Sequence, residues 1–332
     1  MNSPRFSNLV TLHLEDSSSS TPLKKLLPVL ASSRRLEKLH VHGGSASDEE
    51  VGATTPVTLP LLKELVLYVV PRRYAVSMLA SIYTPRCSHA QIYDNGSSMT
   101  DEEAIEALDA VVWRPGNSQA TVILGGPDIT PRPSALVIGI QNSGVSIRSS
   151  QMEGHYCSLG FARVDVPRML QKLVTFLSEW HSCPPLELHL GDGQICRANG
   201  LDLSFWGERV SSLSADGEDA CRSLIQLLSR RELVPGSSEM DWAFPKLSRI
   251  EIAYGRFDEE DATLDAEALL SLVQRRWFGE DGLPPAPQPS YFEVSCSLTD
   301  FPRFADLASE FTRIIPSFQL NDMEYGCDLS FL

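Results

Sequence analysis

Cationic side chains are scarce: 28 lysines and arginines stand against 43 aspartates and glutamates in 332 residues, giving a net charge of −15. Phosphate backbones and anionic lipid surfaces need clustered cations, so neither nucleic acid nor a membrane is expected as partner. No uninterrupted apolar run approaches the roughly 18 residues of a membrane span. The opening Met1-Asn2-Ser3-Pro4-Arg5 leads into no apolar stretch of the kind a secretory signal needs. The seven cysteines (Cys87, Cys157, Cys183, Cys196, Cys221, Cys296, Cys327) are odd in number and scattered, with no Cys-x-x-Cys pair. That spacing removes the common zinc sites and the thioredoxin-type motif. A secreted disulfide framework is denser, so reduced thiols in the cytoplasm or nucleus are the expectation.

Catalytic signatures are missing as well. Without a Gly-x-Ser-x-Gly elbow anywhere, His42-Gly43-Gly44 reads as the end of a strand and not as an oxyanion-hole loop. Gly191-Asp192-Gly193 has Cys196 where a dinucleotide fingerprint needs its third glycine, so it reads as a turn. The acidic segment Asp258 to Glu267 carries Ala262 and Thr263 where a calcium loop needs its central glycine. It reads as a solvated lead into a helix, with Asp265 and Glu267 favourable near the N-terminus. Nor do paired carboxylates, a Cys–His pair or a P-loop stand out. The expectation is a protein that is not an enzyme and takes no cofactor.

What the chain does have is an internal period. An apolar residue, two variable ones, an apolar, one variable and an apolar recur as Leu9-Val-Thr-Leu12-His-Leu14, Leu36-Glu-Lys-Leu39-His-Val41 and Leu62-Lys-Glu-Leu65-Val-Leu67. The copies start 27 and 26 residues apart, inside the range of leucine-rich repeats. Further copies read Cys87-Ser-His-Ala90-Gln-Ile92 and Leu247-Ser-Arg-Ile250-Glu-Ile252. Weaker ones fall at Phe161 to Val166, Cys183 to Leu188 and Tyr291 to Cys296. Each copy predicts a short strand whose alternate residues face opposite ways, Leu12 and Leu14 inward, Thr11, His13 and Glu15 outward.

Between copies the periodicity turns helical. Pro22 to Leu30 has apolar residues at 23, 26, 27 and 30, one helical face, and Pro28 is expected to end or kink that helix near its last turn. Helices are also predicted over Tyr74 to Tyr83, Asp101 to Val112 (Thr100 as N-cap, Glu103 at the capping-box position), Pro167 to Trp180, Glu218 to Arg230, Leu264 to Trp277 and Phe301 to Ile315. Residues 119–124, 135–140 and 144–147 read as closely spaced strands with no room for helices between them, a small antiparallel meander. The implied fold class is α/β: a leucine-rich-repeat-like solenoid of parallel strands and alternating helices. It is read as a single array over residues 1–332 with an irregular middle section at about 113–160. A strand-plus-helix unit buries too little apolar surface alone, and stacking supplies the core.

Phe6 to Leu14, Thr58 to Leu67 and Phe244 to Ile252, with the late helix ending Leu269-Leu-Ser-Leu-Val-Gln-Arg-Arg-Trp277, resemble the leucine-rich-repeat regions of fungal F-box proteins. The resemblance spans most of the chain except residues 113–160. It implies the substrate-recognition region of a cullin–RING ubiquitin ligase, where the repeats hold a protein target and an F-box holds the ligase adaptor. No F-box is seen ahead of the first repeat strand. The alternative is therefore a stand-alone repeat scaffold with no ligase link.

If the strands line one face, outward residues form ladders with neighbours about 4.8 Å apart. One ladder is Thr11, Lys38, Glu64, His89; the next His13, His40, Val66, Gln91; the third Glu15, His42, Tyr68, Tyr93. Together they are the candidate protein-binding face, since tyrosine is enriched at interface hot spots and solenoids bind through such surfaces. His13, His40 and His42 sit on adjacent strands, but no carboxylate or cysteine completes a metal set at recognisable spacing. No metal is expected there.

Overall fold

The computed structural model describes residues 8–16, 23–43, 57–84, 86–87, 89–94, 135–141, 144–150, 156–162, 166–178, 184–191, 206–233, 240–254, 266–279, 285–296 and 301–322. The chain divides into two compact units, residues 1–137 with 143–184 and residues 138–142 with 185–332. Each is a mixed α/β layer of mainly parallel strands alternating with helices.

The first unit runs β1 (Thr11–Asp16), α1 (Leu23–Ser32), β2 (Lys38–Gly43), a short β3 (Val57–Thr58), β4 (Glu64–Val70), α2 (Arg72–Ser81), a short β5 (Ile82–Tyr83) and β6 (His89–Asp94). It continues through the first residues of β7 (Ala135–Gln141) to β8 (Gly144–Ser150), β9 (Tyr156–Ala162) and α3 (Val166–Ser178). Its strands lie in the order β1, β2, β4, β6, β9, β8. All pairs from β1 to β9 are parallel, and β8 runs antiparallel to β9 with Gly144 opposite Ala162. The strands expected at 135–140 and 144–147 are β7 and β8, while the antiparallel partner of β8 is β9, a strand outside the expected meander.

The period of the sequence becomes the register of the sheet. Leu12, Leu39, Leu65 and Ala90 lie side by side, as do Leu14, Val41, Leu67 and Ile92. Backbone bonds recur at the same interval: Lys38 N–H reaches Val10 O, Glu64 N–H reaches Glu37 O, and His89 N–H reaches Lys63 O. In the copies that start at Leu36, Leu62 and Cys87, the first apolar residue closes a tight turn before its strand. Leu36 N–H bonds Ser33 O at 3.0 Å, Leu62 N–H bonds Leu59 O at 3.3 Å and Cys87 N–H bonds Thr84 O at 3.2 Å. That turn explains why an apolar residue three before the strand's own pattern belongs to the repeat. Leu36, Leu39, Leu62, Leu65 and Leu67 are all buried. Leu12 and Leu14 are only half-buried, because β1 is the end strand of the described order.

Three expectations need correction here. The α1 helix continues through Pro28 to Ser32. Pro28 is exposed, and Leu23, Leu26, Leu27 and Leu30 form the buried face, so the proline does not end the helix. Ser32 Oγ and Ser33 Oγ then donate to Val29 O at 2.8 and 2.7 Å, closing the last turn. The helix expected over 74–83 covers Arg72–Ser81, and Ile82 and Tyr83 are extended and pair with Val57 and Thr58. The weak copy at 161–166 is out of phase with the elements: Phe161 and Ala162 end β9, which starts at Tyr156, and Val166 opens α3. The helix expected over 101–112 and the strand over 119–124 lie outside the described residues.

The second unit runs from the end of β7 through β10 (Leu186–Leu190), β11 (Val210–Asp216), α4 (Glu218–Leu228), β12 (Arg231–Leu233), β13 (Met240–Trp242) and β14 (Arg249–Tyr254). Then follow α5 (Ala266–Val273), a π-helical turn (Gln274–Phe278), β15 (Tyr291–Cys296), α6 (Phe301–Ile314) and β16 (Phe318–Asp322). Strands β10, β11, β14, β15 and β16 pair in parallel in that order. Aromatic side chains join the aliphatic core: Trp206, Phe244, Trp277, Phe292, Phe304 and Phe311 are buried. Phe318 stacks on Phe311 at 4.7 Å and tilts against Phe292 at 5.7 Å.

Arg276 is buried among these rings, 1% exposed. Its guanidinium donates to Leu228 O at 2.8 Å, Ala243 O at 2.5 Å and Phe244 O at 3.2 Å, tying the end of α4 to the loop before β14. Trp277 and Trp242 flank it at 5.2 and 5.4 Å. Burial pulls its pKa down to about 10, still far above neutrality, so the charge persists; the carbonyls take its two terminal nitrogens and leave Nε buried without a partner among the described residues.

Candidate protein-binding face

The strand registers of the first unit bring the twelve candidate residues into three rows. Thr11, Lys38, Glu64 and His89 are in register, as are His13, His40, Val66 and Gln91, and Glu15, His42, Tyr68 and Tyr93. None of the twelve is buried. They occupy the side of the strands opposite Leu39, Leu65 and Leu67.

The third row is a chain of rings. His42 and Tyr68 stack with centroids 5.2 Å apart and planes 11° from parallel, and Tyr68 meets Tyr93 edge-on at 5.6 Å. The residue following in that row is Gly160, opposite Tyr93 on β9. A Cβ at 160 would stand 2.4 Å from Tyr93 Cδ1, so glycine there is what lets the tyrosine ring lie across β9. Tyr93 Oη then hydrogen-bonds Ser158 Oγ at 2.5 Å. Just past Tyr68 the β4–β6 register slips, and Val69 stands exposed at φ 55°, a strained value for a β-branched residue.

The other rows are held by charge. Glu64 accepts from Lys38 Nζ at 2.6 Å and from His40 Nε2 at 2.8 Å. The Lys38 bond is the largest influence on Glu64, and with His40 it outweighs burial and holds the carboxyl below its ordinary value. His13 meets His40 edge-on at 5.4 Å and Glu15 at 3.5 Å. Behind the face, burial pushes the Cys87 thiol up to about 11, leaving it an unreactive packing group. Among the described residues, no three histidine, cysteine or acidic side chains converge as a metal set. No helix there is long and apolar enough to cross a membrane.

The second unit carries a different outward face, which the sequence reading did not single out. The Arg249 guanidinium bonds Glu251, with Nε at 2.8 Å, and lies 4.4 Å from the centre of the Tyr291 ring on the next strand. Tyr291 Oη donates to Glu293, which also accepts from Ser295 Oγ at 2.9 Å and Asn321 Nδ2 at 2.8 Å. The bond to Glu293 pushes the Tyr291 phenol up to about 12. Burial raises the Glu293 carboxyl, but the bonds from Tyr291, Asn321 and Ser295 overcome it and hold the group below its ordinary value. His189 Nδ1 and Ser214 Oγ are bonded at 2.7 Å. Part of the signal is in the sequence: Arg249 and Glu251, and Glu293 and Ser295, are variable positions of the copies at 247–252 and 291–296.

No protein-family model matches the chain, and neither a curated protein nor a solved structure matches it.

Proposed function

We propose that the chain is a non-catalytic protein–protein interaction module, a leucine-rich-repeat-like array acting in the cytoplasm or nucleus. Its role is that of the substrate-recognition region of an F-box subunit of a cullin–RING ubiquitin ligase. The observation that carries the binding reading is the row His42–Tyr68–Tyr93, three part-exposed rings in mutual contact on a strand face with a firm aliphatic core behind it. Amphipathic rings held rigid supply contact area at little entropic cost, the property of interface hot spots. The ligase link rests on the likeness of the repeat phrases to fungal F-box proteins.

Affinity purification of the native protein, beside a His42→Ser, Tyr68→Ser, Tyr93→Ser variant that still melts cooperatively, tests both parts. A target and the ligase adaptor are expected with the parent, and the variant should lose the target while keeping the adaptor. A target retained by the variant would remove the ring row from the interface. Absence of the adaptor would leave a stand-alone scaffold.

A further inference from the structure

Resting on the binding-face reading above, we propose that the ring row of the first unit receives an arginine side chain from a basic, extended segment of the partner protein. The second unit displays such a contact within the chain itself. There the Arg249 guanidinium lies over the Tyr291 ring one strand away and is tied to the carboxylate of Glu251 two positions along its own strand. A planar guanidinium fits this arrangement because it stacks on a ring while its edge donates to a carboxylate.

The first unit presents the same two kinds of acceptor along one row, with His42 between Glu15 and Tyr68. Tyr68 and Tyr93 are part-exposed, and Glu15, in register with His42, has its side chain 73% exposed. The strands that carry Glu15 and the rings, β1, β2, β4 and β6, contain no arginine, and Arg148 is on β8, opposite Ser158. Their single lysine, Lys38, is held by Glu64. The bulge at Val69 adjoins Tyr68, and bulges re-aim side chains next to binding sites. The chain's net charge of −15 draws basic segments toward it and repels acidic ones. An acidic partner would need the imidazoles of His13, His40 and His42 protonated, against the standing charge of Glu15.

An array of immobilised random peptides, probed with the full chain, reads this directly. The bound sequences should be enriched in arginine. Replacing that arginine by its neutral isostere citrulline should weaken binding roughly fivefold to thirtyfold, the range of a partly desolvated cation–π contact. Tyr68→Leu and Glu15→Gln should each do the same with melting unchanged. Should Tyr68→Leu fail to fold, Glu15→Gln at its exposed carboxylate gives the same discrimination. Bound peptides that lack arginine, or for which citrulline serves equally, overturn the arginine assignment. If those peptides still lose binding on Tyr68→Leu, the binding face itself survives. Peptides indifferent to both substitutions, or no bound peptide at all, overturn both readings.

Discussion

The two units differ in whether aromatic side chains enter the described core behind their strands. In the first, the described core is leucine, isoleucine, valine, alanine, methionine and cysteine, and the rings of His42, Tyr68 and Tyr93 stand outside. In the second, tryptophan and phenylalanine join leucine, isoleucine and valine in the core, and the outward face is a network of Arg249, Glu251, Tyr291, Glu293, Ser295 and Asn321. Aromatic residues have the largest buried area to give, and where they are placed decides what they stabilise. Inside, they hold the fold; outside and half-exposed, they are available to another molecule. The polar groups of the second face already bond one another, so a partner there would have to replace bonds and not simply make them.

The hardest break of this comparison is in the cores, where the two units should behave alike. Leu39 and Leu213 occupy equivalent inward positions and are both fully buried. Leu39→Asp and Leu213→Asp each lose the burial of a leucine and strand a carboxylate, a loss of roughly 5 kcal/mol or more. That approaches the whole stability of a domain. Both variants should lose cooperative thermal melting; a parental melt for either would mean that its strand does not face a core.

A smaller substitution acts on the first unit alone. Gly160→Ala puts a methyl where the Tyr93 ring now lies, 2.4 Å from Cδ1. The ring must swing away and release Ser158. Overpacking of this kind costs about 1–3 kcal/mol. The melt should fall by that amount, and the tyrosine near-ultraviolet dichroism should change with it. A variant with unchanged dichroism would mean that the ring is not laid across β9.

Much of the first unit is legible because its repeats are regular. An interval of 26 or 27 residues fixes the register, and register fixes which side chains share a row. The second unit is harder to read for a physical reason. Its strands bury small or aromatic residues where the pattern asks for aliphatic ones. Val210, Leu213 and Ala215 follow the same spacing on β11, as do Ile315, Phe318 and Leu320 entering β16, yet alanine and phenylalanine weaken the signature. Pro28 misleads because a proline's local cost is weighed against four buried leucines that only the packed structure shows. Ring contacts along a row are beyond any spacing rule, since they depend on rotamers and on Gly160 making room. The partners of Glu293 come from two strands, Asn321 lying 28 residues away.

The finest distinction lies between two carboxylates, each held below its ordinary value by different partners. Glu64 depends first on the Lys38 ammonium, whereas Glu293 is held by the neutral donors Tyr291, Asn321 and Ser295. A carboxyl whose folded pKa is depressed stabilises the protein above the unfolded value and loses that contribution as pH falls through the folded one. Glu64→Gln and Glu293→Gln should therefore each lower stability near neutrality, by less than about 1 kcal/mol because both groups are part-exposed. Each variant should converge with the parent once the solution is acid enough to protonate the native carboxyl. Salt then separates them. Screening weakens the Lys38–Glu64 attraction and leaves hydrogen bonds from neutral donors largely intact. In high salt the cost of Glu64→Gln should shrink and that of Glu293→Gln should stay, as read from melts at both ionic strengths. Equal salt dependence would mean that Arg249, and not the three neutral donors, dominates at Glu293.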